Sequence, residues 1–322
     1  MRLKLVRENT NFDFFSRWKL WLGISALMMM VGFGSYLYQG LNFGIDFRGG
    51  TTIRTQTAEP IDIGAYRASL ETLGLGDVSI TEVFDPNFGD DQNVAMIRIQ
   101  AQDGQEAVTV ETIEAVQNGL RAIDENMKFP SVESVGPKVS GELIKTAALA
   151  VVLAIGAVLI YIWLRFEWQF AIGAVGALVH DIILTIGVFS ALQIKFDLAI
   201  IAALLTIVGY SLNDTVVVFD RVRENLRRYK QKHLSEVLNL SINETLSRTV
   251  MTSVTTLLAL ISLFVLGGDV IRGFVFAMIW GVVIGTYSSV FVASSTLLRL
   301  GVKRDWTKPS NTDGNQFSNI DA

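Results

Sequence analysis

The sequence predicts a multi-pass α-helical membrane protein with six transmembrane helices and one α+β domain between the first two. Half of the 322 residues are hydrophobic, only 18% are charged, and the mean hydropathy is +0.41. Soluble domains carry roughly 25% charged residues. Six stretches reach the length of about 20 apolar residues that a bilayer core requires. They are residues 20–38, 147–164, 170–192, 198–219, 249–266 and 274–297.

The first stretch is interpreted as a retained anchor, because it is long and lacks the small-x-small pattern of a cleaved signal. Lys and Arg set the orientation, since cytoplasmic loops carry an excess of both. They cluster before the first stretch, after the fourth and after the sixth. Six crossings put these three clusters on one side. We therefore expect both termini in the cytoplasm, and we divide the chain into residues 1–39, 40–142, 143–300 and a disordered polar tail at 301–322. The basic region 220–247 is expected to be a cytoplasmic loop whose second half lies along the membrane.

The segment between the first two stretches is acidic, with 17 acidic and 7 basic residues in 40–142. Strand-like segments occur near 51–57, 77–85, 93–100 and 131–136, and amphipathic helical segments occur near 61–75 and 104–125. This β-α-β-β-α-β order is typical of a ferredoxin-like domain. The sequence therefore predicts a ferredoxin-like domain on the periplasmic side.

Asp214 lies inside the fourth stretch, roughly 7–8 Å of helix from its cytoplasmic end. A carboxylate at that depth costs a few kcal/mol and usually faces other helices. Arg248 and Thr252 begin a polar stripe on the fifth stretch, with small or polar residues recurring every three or four positions. We hypothesise that Arg248 faces Asp214, with Thr252 nearby, and that Asp214 loads and releases a proton. A structural ion pair remains the alternative.

His180 and Asp181 lie near the middle of the third stretch. Histidine titrates in the physiological range, so the pair is a candidate for a secondary proton relay. The alternative is that both side chains only bond to neighbouring helices. Gly281 and Gly285 form a GxxxG pattern, which predicts a helix-packing surface first.

A glycine-containing junction, "GIDFRGGTT", joins the first stretch to the outer domain. Gly49 and Gly50 permit backbone conformations that other residues avoid. Gly44 and Asp46 belong to the same junction, which is expected to have a structural role.

Sequence motifs for nucleotide binding, metalloprotease or serine-hydrolase chemistry do not occur in the chain. There is no cysteine and there are only two histidines. We therefore expect no enzyme activity, no cofactor, no metal and no nucleic-acid partner.

Five segments together resemble the smaller subunit of the SecD/SecF family of bacterial protein export. They are "GIDFRGG", "VGPKVSGEL", "VHDIILTIG", "GYSLNDTVVVFDRVREN" and "SRTVMTSVTTLLAL". The resemblance covers about residues 15–300. It implies membership of the RND superfamily and a location in the bacterial inner membrane. The implied partners are SecD, the SecYEG channel, YajC, protons and an unfolded polypeptide in transit.

The resemblance also implies that the proton-motive force drives late translocation and release of that polypeptide. The family's proton-pathway residues match Asp214, Arg248 and Thr252, and a further family aspartate lies in SecD. Two other functions stay open at this point. One is a subunit of an RND-type small-molecule exporter, and the other is a scaffold that conducts no protons.

Overall fold

The protein is described here by a computed structural model covering residues 10–75, 78–85, 88–89, 92–100 and 108–302. Within that part of the chain, six helical spans are long and apolar enough to cross a membrane, which confirms the predicted number. The spans are α1 (Trp18–Gln39), α5 (Pro137–Arg165), α6 (Trp168–Leu192), α7 (Leu198–Arg228), α8 (Leu234–Leu266) and the sixth span, which consists of α9 (Gly268–Ser288), a π-helix (Ser289–Ala293) and α10 (Ser294–Leu300).

The spans divide into a buried centre and an open periphery. In α6 and in the sixth span, 61% of the most apolar window is buried, against 6% in α1 and in α5 and 11% in α8. The core therefore lies between α6, α7 and the sixth span. Large faces of α1, α5 and α8 are left for lipid or for another protein.

Glycine allows close approach between the central helices. A Cβ atom added to Gly281 would lie 2.2 Å from Cγ1 of Ile207 on α7, and one added to Gly285 would lie 3.1 Å from the Cβ atom of Ser211. The prediction that Gly281 and Gly285 form a packing surface is therefore confirmed.

The segment between α1 and α5 contains a four-stranded sheet in the order β3-β4-β2-β5, with antiparallel neighbours throughout. The strands are β2 (Gly50–Thr57), β3 (Val78–Val83), β4 (Asn93–Gln100) and β5 (Lys128–Val135), and the helices are α3 (Ile63–Glu71) and α4 (Val110–Arg121). The element order along the chain is the predicted β-α-β-β-α-β. The Asp62 carboxylate caps α3, and the Thr109 hydroxyl caps α4. Residues 104–107, where the second helix was expected to begin, lie outside the described residues.

Three short elements connect this sheet region to the helices. They are β1 (Asn42–Phe43), α2 (Ile45–Arg48) and β6 (Lys195–Phe196). Strands β1 and β6 pair in parallel, so the residues after α1 are joined to the residues before α7.

The region that was expected to be a cytoplasmic loop, residues 220–247, differs from the expectation. Residues 220–228 continue α7 and residues 234–247 begin α8, so the segment expected to lie along the membrane is part of one 33-residue helix. The physical reason is burial: Val237, Leu238 and Ile242 are almost completely buried in the core around α7. Residues 303–322, which contain most of the predicted tail, lie outside the described residues.

The N-terminal segment is bonded to the start of α8. The amide of Asn239 donates to the carboxylate of Asp13 at 2.8 Å and accepts from the backbone of Phe14. Asn243 pairs in the same way with the backbone of Phe12, both donating and accepting at 2.8 Å. The hydrogen bond from Asn239 lowers the pKa of Asp13 below its ordinary value of 3.8.

Candidate functional site

The carboxylate of Asp214 is held between three helices by two hydroxyl groups. Thr249 on α8 donates to Oδ1 at 2.6 Å, and Ser289 at the start of the π-helix donates to Oδ2 at 2.6 Å. Asp214 is 8% exposed, while Thr249 is 2% and Ser289 is 0% exposed. Both carboxylate oxygens therefore have a neutral partner, and a narrow opening to the surface remains.

Arg248 does not form the expected contact with Asp214. Within the described part of the chain no ion pair joins the two side chains, and Arg248 lies on the exposed face of α8. Its positive charge still acts on the Asp214 carboxylate through space. Thr252 is also exposed, and its hydroxyl lies within hydrogen-bond distance of the carbonyls of Arg248 and Thr249 in its own helix.

The direction in which each residue points around α8 explains why Thr249, and not Arg248 or Thr252, contacts Asp214. Thr245, Thr249 and Ser253 follow each other at steps of four residues, and all three are buried. Adjacent residues on a helix point about 100° apart, so the stripe that begins at Arg248 faces outward. Both stripes are polar, and the sequence alone could not decide which of them meets Asp214.

A second carboxylate, Asp181, is enclosed in the same bundle. Its Oδ2 atom accepts from Ser211 of α7 at 2.7 Å and from Ser288 of α9 at 2.8 Å. Its Oδ1 atom lies 3.0 Å from Nδ1 of His180. Asp181 and His180 are each only 1% exposed. The structure thus brings the side chains of His180 and Asp181 into direct contact, although adjacent residues leave an α-helix about 100° apart.

The surroundings of His180 are aromatic on one side. Its ring lies 6.0 Å from the ring of Tyr287, whose hydroxyl is bonded to Ser25 and to the carbonyl of Trp21 on α1. Its Nε2 atom is buried and has no hydrogen-bond partner among the described residues. The described residues contain no group of three or more His, Asp or Glu side chains placed to hold a metal ion.

The glycine-containing junction is tied to the beginning of the helix that carries Asp214. The carboxylate of Asp46 accepts from the backbone N–H of Leu198, the first residue of α7, at 3.0 Å. Leu198 precedes Asp214 by 16 residues, or about 24 Å of helix. Gly49 and Gly50 have φ values of +76° and +129°, in the range that favours glycine.

Gly44, in the same junction, lies in close contact with strand β6. Its N–H donates to the carbonyl of Phe196 at 2.8 Å, and an added Cβ atom would lie 2.9 Å from Cε of Lys195. The guanidinium of Arg98 on β4 also faces this region. Burial lowers the pKa of Arg98, while the negative charges of Asp197 and Asp46 oppose that change.

A second contact links the sheet region to the spans. The carboxylate of Asp269, at the start of α9, accepts from the backbone N–H of Phe84 at 2.7 Å, and the N–H of Asp269 donates to the carbonyl of Phe84 at 3.0 Å. Asp269 also forms an ion pair with Arg272. The sheet region is thus anchored at the start of α7 and at the start of α9.

Sequence reasoning singled out Asp214, His180, Asp181 and the junction, but it missed the hydroxyls that bind the carboxylates. Thr249 and Ser211 carry no signal beyond being polar residues in apolar stretches. Ser288 and Ser289 follow the GxxxG pattern of Gly281 and Gly285, which indicates helix packing and carries no sign that they bind carboxylates.

Two family models match the chain. The C-terminal model of the SecD/SecF protein export membrane proteins matches residues 115–303, and the model of the SecD/SecF GG motif matches residues 39–61. The second match contains the junction described above.

Curated relatives match over nearly their whole length. The chain is 60% identical to a protein translocase subunit SecF of Cereibacter sphaeroides, covering 100% of this chain and 99% of the relative. It is 59% identical to that of Rhodobacter capsulatus, covering 97% and 96%. It is 41% identical to that of Vibrio alginolyticus, covering 93% of both chains.

Two solved structures share the fold. One is SecDF from Thermus thermophilus, described as a translocon-associated membrane protein, with a TM-score of 0.80 and 33% identity. The other is SecDF in a super-membrane-facing form, with a TM-score of 0.68 and 34% identity. Each comparison covers 93% of this chain and 40% of the longer SecDF chain. On these matches, the chain belongs to the SecD/SecF family of protein export membrane proteins.

Proposed function

We propose that this protein works with SecD in Sec-dependent protein export and uses the proton-motive force to promote late translocation and release of unfolded polypeptides. The observation that carries the proposal is Asp214, a carboxylate inside a helix bundle whose direct partners are two neutral hydroxyls. Taking an ionised carboxylate out of water is costly unless a partner compensates its charge. A group held in this way can change its charge on proton uptake without breaking an ion pair.

The first step of the mechanism is proton uptake at Asp214. Protonation removes the negative charge on which Arg248 acts through space, and it weakens the charge-assisted hydrogen bonds from Thr249 and Ser289. These two hydroxyls belong to different spans, so α7, α8 and the sixth span can then repack. One charge crossing the membrane potential is worth about 2.3 kcal/mol per 100 mV, enough to bias a conformational equilibrium of that size.

Arg248 and Thr252 lie on the exposed face of α8, where they can pass protons to Asp214. Both are exposed, and only 11% of the most apolar window of this helix is buried in the single chain. Polar groups inside a membrane usually face a protein interior or a water-filled cavity. We propose that SecD covers this face and that protons pass between the two bundles, reaching Asp214 by way of Arg248 and Thr252.

The outer domain would receive the motion through the junction. Asp46 is bonded to the first residue of α7, and Gly49 and Gly50 connect directly to β2. A shift of α7 along its axis therefore moves the anchor of the sheet. We propose that the sheet region is a ferredoxin-like periplasmic domain that contacts the emerging polypeptide.

The remaining features of the proposal rest on the family resemblance and the charge distribution. The partners are SecD, the SecYEG channel, YajC, protons and the exported chain. The location is the bacterial inner membrane, with both termini cytoplasmic. His180 and Asp181 are proposed as a secondary relay, which is supported by the burial and direct contact of the two side chains.

The test is proton flux through the chain reconstituted with SecD in vesicles that carry an imposed pH gradient. We expect Asp214→Asn to abolish the gradient-dependent flux and the gradient-dependent release of an exported polypeptide, while assembly with SecD is retained. Thr249→Val removes a direct partner of Asp214 and should lower the flux severalfold. The matched control Thr255→Val makes the same change at an exposed threonine whose hydroxyl donates within its own helix, and it should preserve more of the flux.

The two alternative functions give different results. Flux and release that survive Asp214→Asn unchanged would leave only a scaffold that conducts no protons. Gradient-driven extrusion of a small apolar cation, without any effect on polypeptide release, would indicate a small-molecule exporter instead.

A further inference from the structure

Two adjacent serines, Ser288 and Ser289, each donate a hydrogen bond to a different buried carboxylate. Ser288 bonds to Oδ2 of Asp181 at 2.8 Å, and Ser289 bonds to Oδ2 of Asp214 at 2.6 Å. Both serines are 0% exposed. The two carboxylates belong to different helices, α6 and α7, and a single peptide unit of the sixth span connects their partners.

Each serine has a second acceptor within reach. The Ser288 hydroxyl lies 3.2 Å from the carbonyl oxygen of Gly285, and the Ser289 hydroxyl lies 3.1 Å from that of Thr286. A hydroxyl carries one proton and can donate to only one acceptor at a time. Each serine therefore has two alternative arrangements, one bonded to the carboxylate and the other to its own helix.

The helix changes its hydrogen-bonding pattern at this point. The five-residue π-helix begins at Ser289, directly after Ser288 ends α9. Single turns of π-helix occur frequently at functional sites. The carbonyl oxygen of Ser289 accepts from the hydroxyl of Ser294 at 3.2 Å, which gives this irregular backbone a side-chain partner.

We propose that Ser288 and Ser289 couple the protonation state of Asp214 to the hydrogen bonding of Asp181, so that the two carboxylates work as one unit. This inference rests on the proposed proton uptake at Asp214. When Asp214 accepts a proton on Oδ2, the new O–H bond donates to Oγ of Ser289. The Ser289 hydroxyl then turns to the Thr286 carbonyl. No covalent bond other than that to the proton is formed or broken.

Loss of the charge-assisted bond also releases the Ser289 backbone from Asp214. A shift of that backbone reaches Ser288 through the shared peptide unit, because a peptide plane moves as a rigid body. A shift of Ser288 changes its bond to Asp181, whose other partners are Ser211 and His180. Asp181 is more completely enclosed than Asp214, with 1% against 8% exposure. Asp214 is thus the carboxylate that exchanges protons with the surroundings, and Asp181 responds to it.

The other titratable side chains around the cluster come from four helices. His180 lies on α6, Tyr210 on α7, Arg248 on α8 and Tyr287 on α9. Tyr210 is bonded to Ser253 and Tyr287 to Ser25, so neither tyrosine hydroxyl contacts a carboxylate. On the sixth span, Ser288 and Ser289 thus bond directly to the two carboxylates, and one peptide unit joins the two serines.

The experiment is infrared spectroscopy of the full-length chain in complex with SecD, with isotope-labelled aspartate, over a range of pH. Asp181→Asn and Asp214→Asn assign the carboxyl and carboxylate bands. We expect the Asp181 band to shift as Asp214 titrates, in midpoint or in frequency, and we expect Asp214→Asn to remove that shift. Interacting sites titrate as a pair, which makes this dependence the signature of coupling.

Ser288→Ala and Ser289→Ala should each abolish the response of the Asp181 band to Asp214. The matched control is Ser295→Ala on the same span, because Ser295 is only 1% exposed and its hydroxyl has no hydrogen-bond partner within the part of the chain that the structure describes. That control should leave the response intact. Retained association with SecD checks that each variant is folded.

An Asp181 band that ignores Asp214 in the wild-type chain would overturn the inference, and so would a response that survives both serine substitutions. Neither result depends on proton flux. The inference can therefore fail while Asp214→Asn still abolishes flux, and loss of the proposed function would be seen separately in the vesicle assay.

Discussion

The bond from Asp46 to the start of α7 gives the most direct test of how the junction is connected to the helix that carries Asp214. The Asp46 carboxylate accepts from the N–H of Leu198 at 3.0 Å, and this N–H belongs to the first turn, where a helix has no backbone acceptors of its own. Replacing a capping residue by alanine costs about 0.5–2 kcal/mol. The negative charge near a helix N-terminus adds roughly 0.3–1 kcal/mol.

We expect Asp46→Ala to weaken the first turn of α7 by about 1–2 kcal/mol, which is a factor of roughly 5–30 in the local opening equilibrium. Asp46→Asn keeps an acceptor and loses only the charge, so it should cost about 0.3–1 kcal/mol. The assay is hydrogen exchange of the backbone amides at residues 198–201, followed by mass spectrometry. We expect these amides to exchange fastest in Asp46→Ala, more slowly in Asp46→Asn and slowest in the wild-type chain.

Asp62→Ala is the control, because the Asp62 carboxylate caps α3 by accepting from the N–H groups of Gly64 and Ala65. It should accelerate exchange at the start of α3 and leave α7 unchanged. If Asp46→Ala leaves exchange at the start of α7 at the wild-type rate while the control behaves as expected, the junction does not hold this helix. The proposed transmission from α7 to the outer domain would then be wrong.

Two further outcomes concern packing and pH. Gly281→Ala places a methyl group against Ile207 and should destabilise the bundle by about 1–3 kcal/mol, seen as a lower thermal midpoint in detergent. Gly156→Ala, at a helical glycine with open space around it, should not lower that midpoint. Because Asn239 lowers the pKa of Asp13, this bond stabilises the docked N-terminal segment above about pH 4 and is lost as the pH falls further. Protection of residues 12–16 from hydrogen exchange should therefore decrease as the pH falls below about 4. Asp13→Asn should remove this decrease, and a decrease that is the same in the variant and in the wild-type chain would contradict the role of Asp13.

Much of the fold could be predicted because its signals are local. The length and hydropathy of an apolar stretch can be read from that stretch alone. The alternation of apolar and polar residues in the strand at 93–100 can likewise be recognised without knowing which strands pair with it. The first part of α8 could not be predicted in the same way. Residues 234–247 have an amphipathic pattern that fits a membrane surface, but their apolar face is buried against α7 in the same chain.

The sequence by itself determined the class of protein, the six spans, the order of the elements between the first two spans, and the presence of Asp214 and Asp181 within apolar spans. It could do so because length, hydropathy and the cost of buried charge act on each segment separately. Only the tertiary structure decided which side chains meet those carboxylates. Thr249 rather than Thr252 contacts Asp214. Ser288 bonds to Asp181 on α6, whereas its neighbour Ser289 bonds to Asp214 on α7. Helix phase and packing set these contacts, and several polar stripes in one sequence are compatible with the same periodicity.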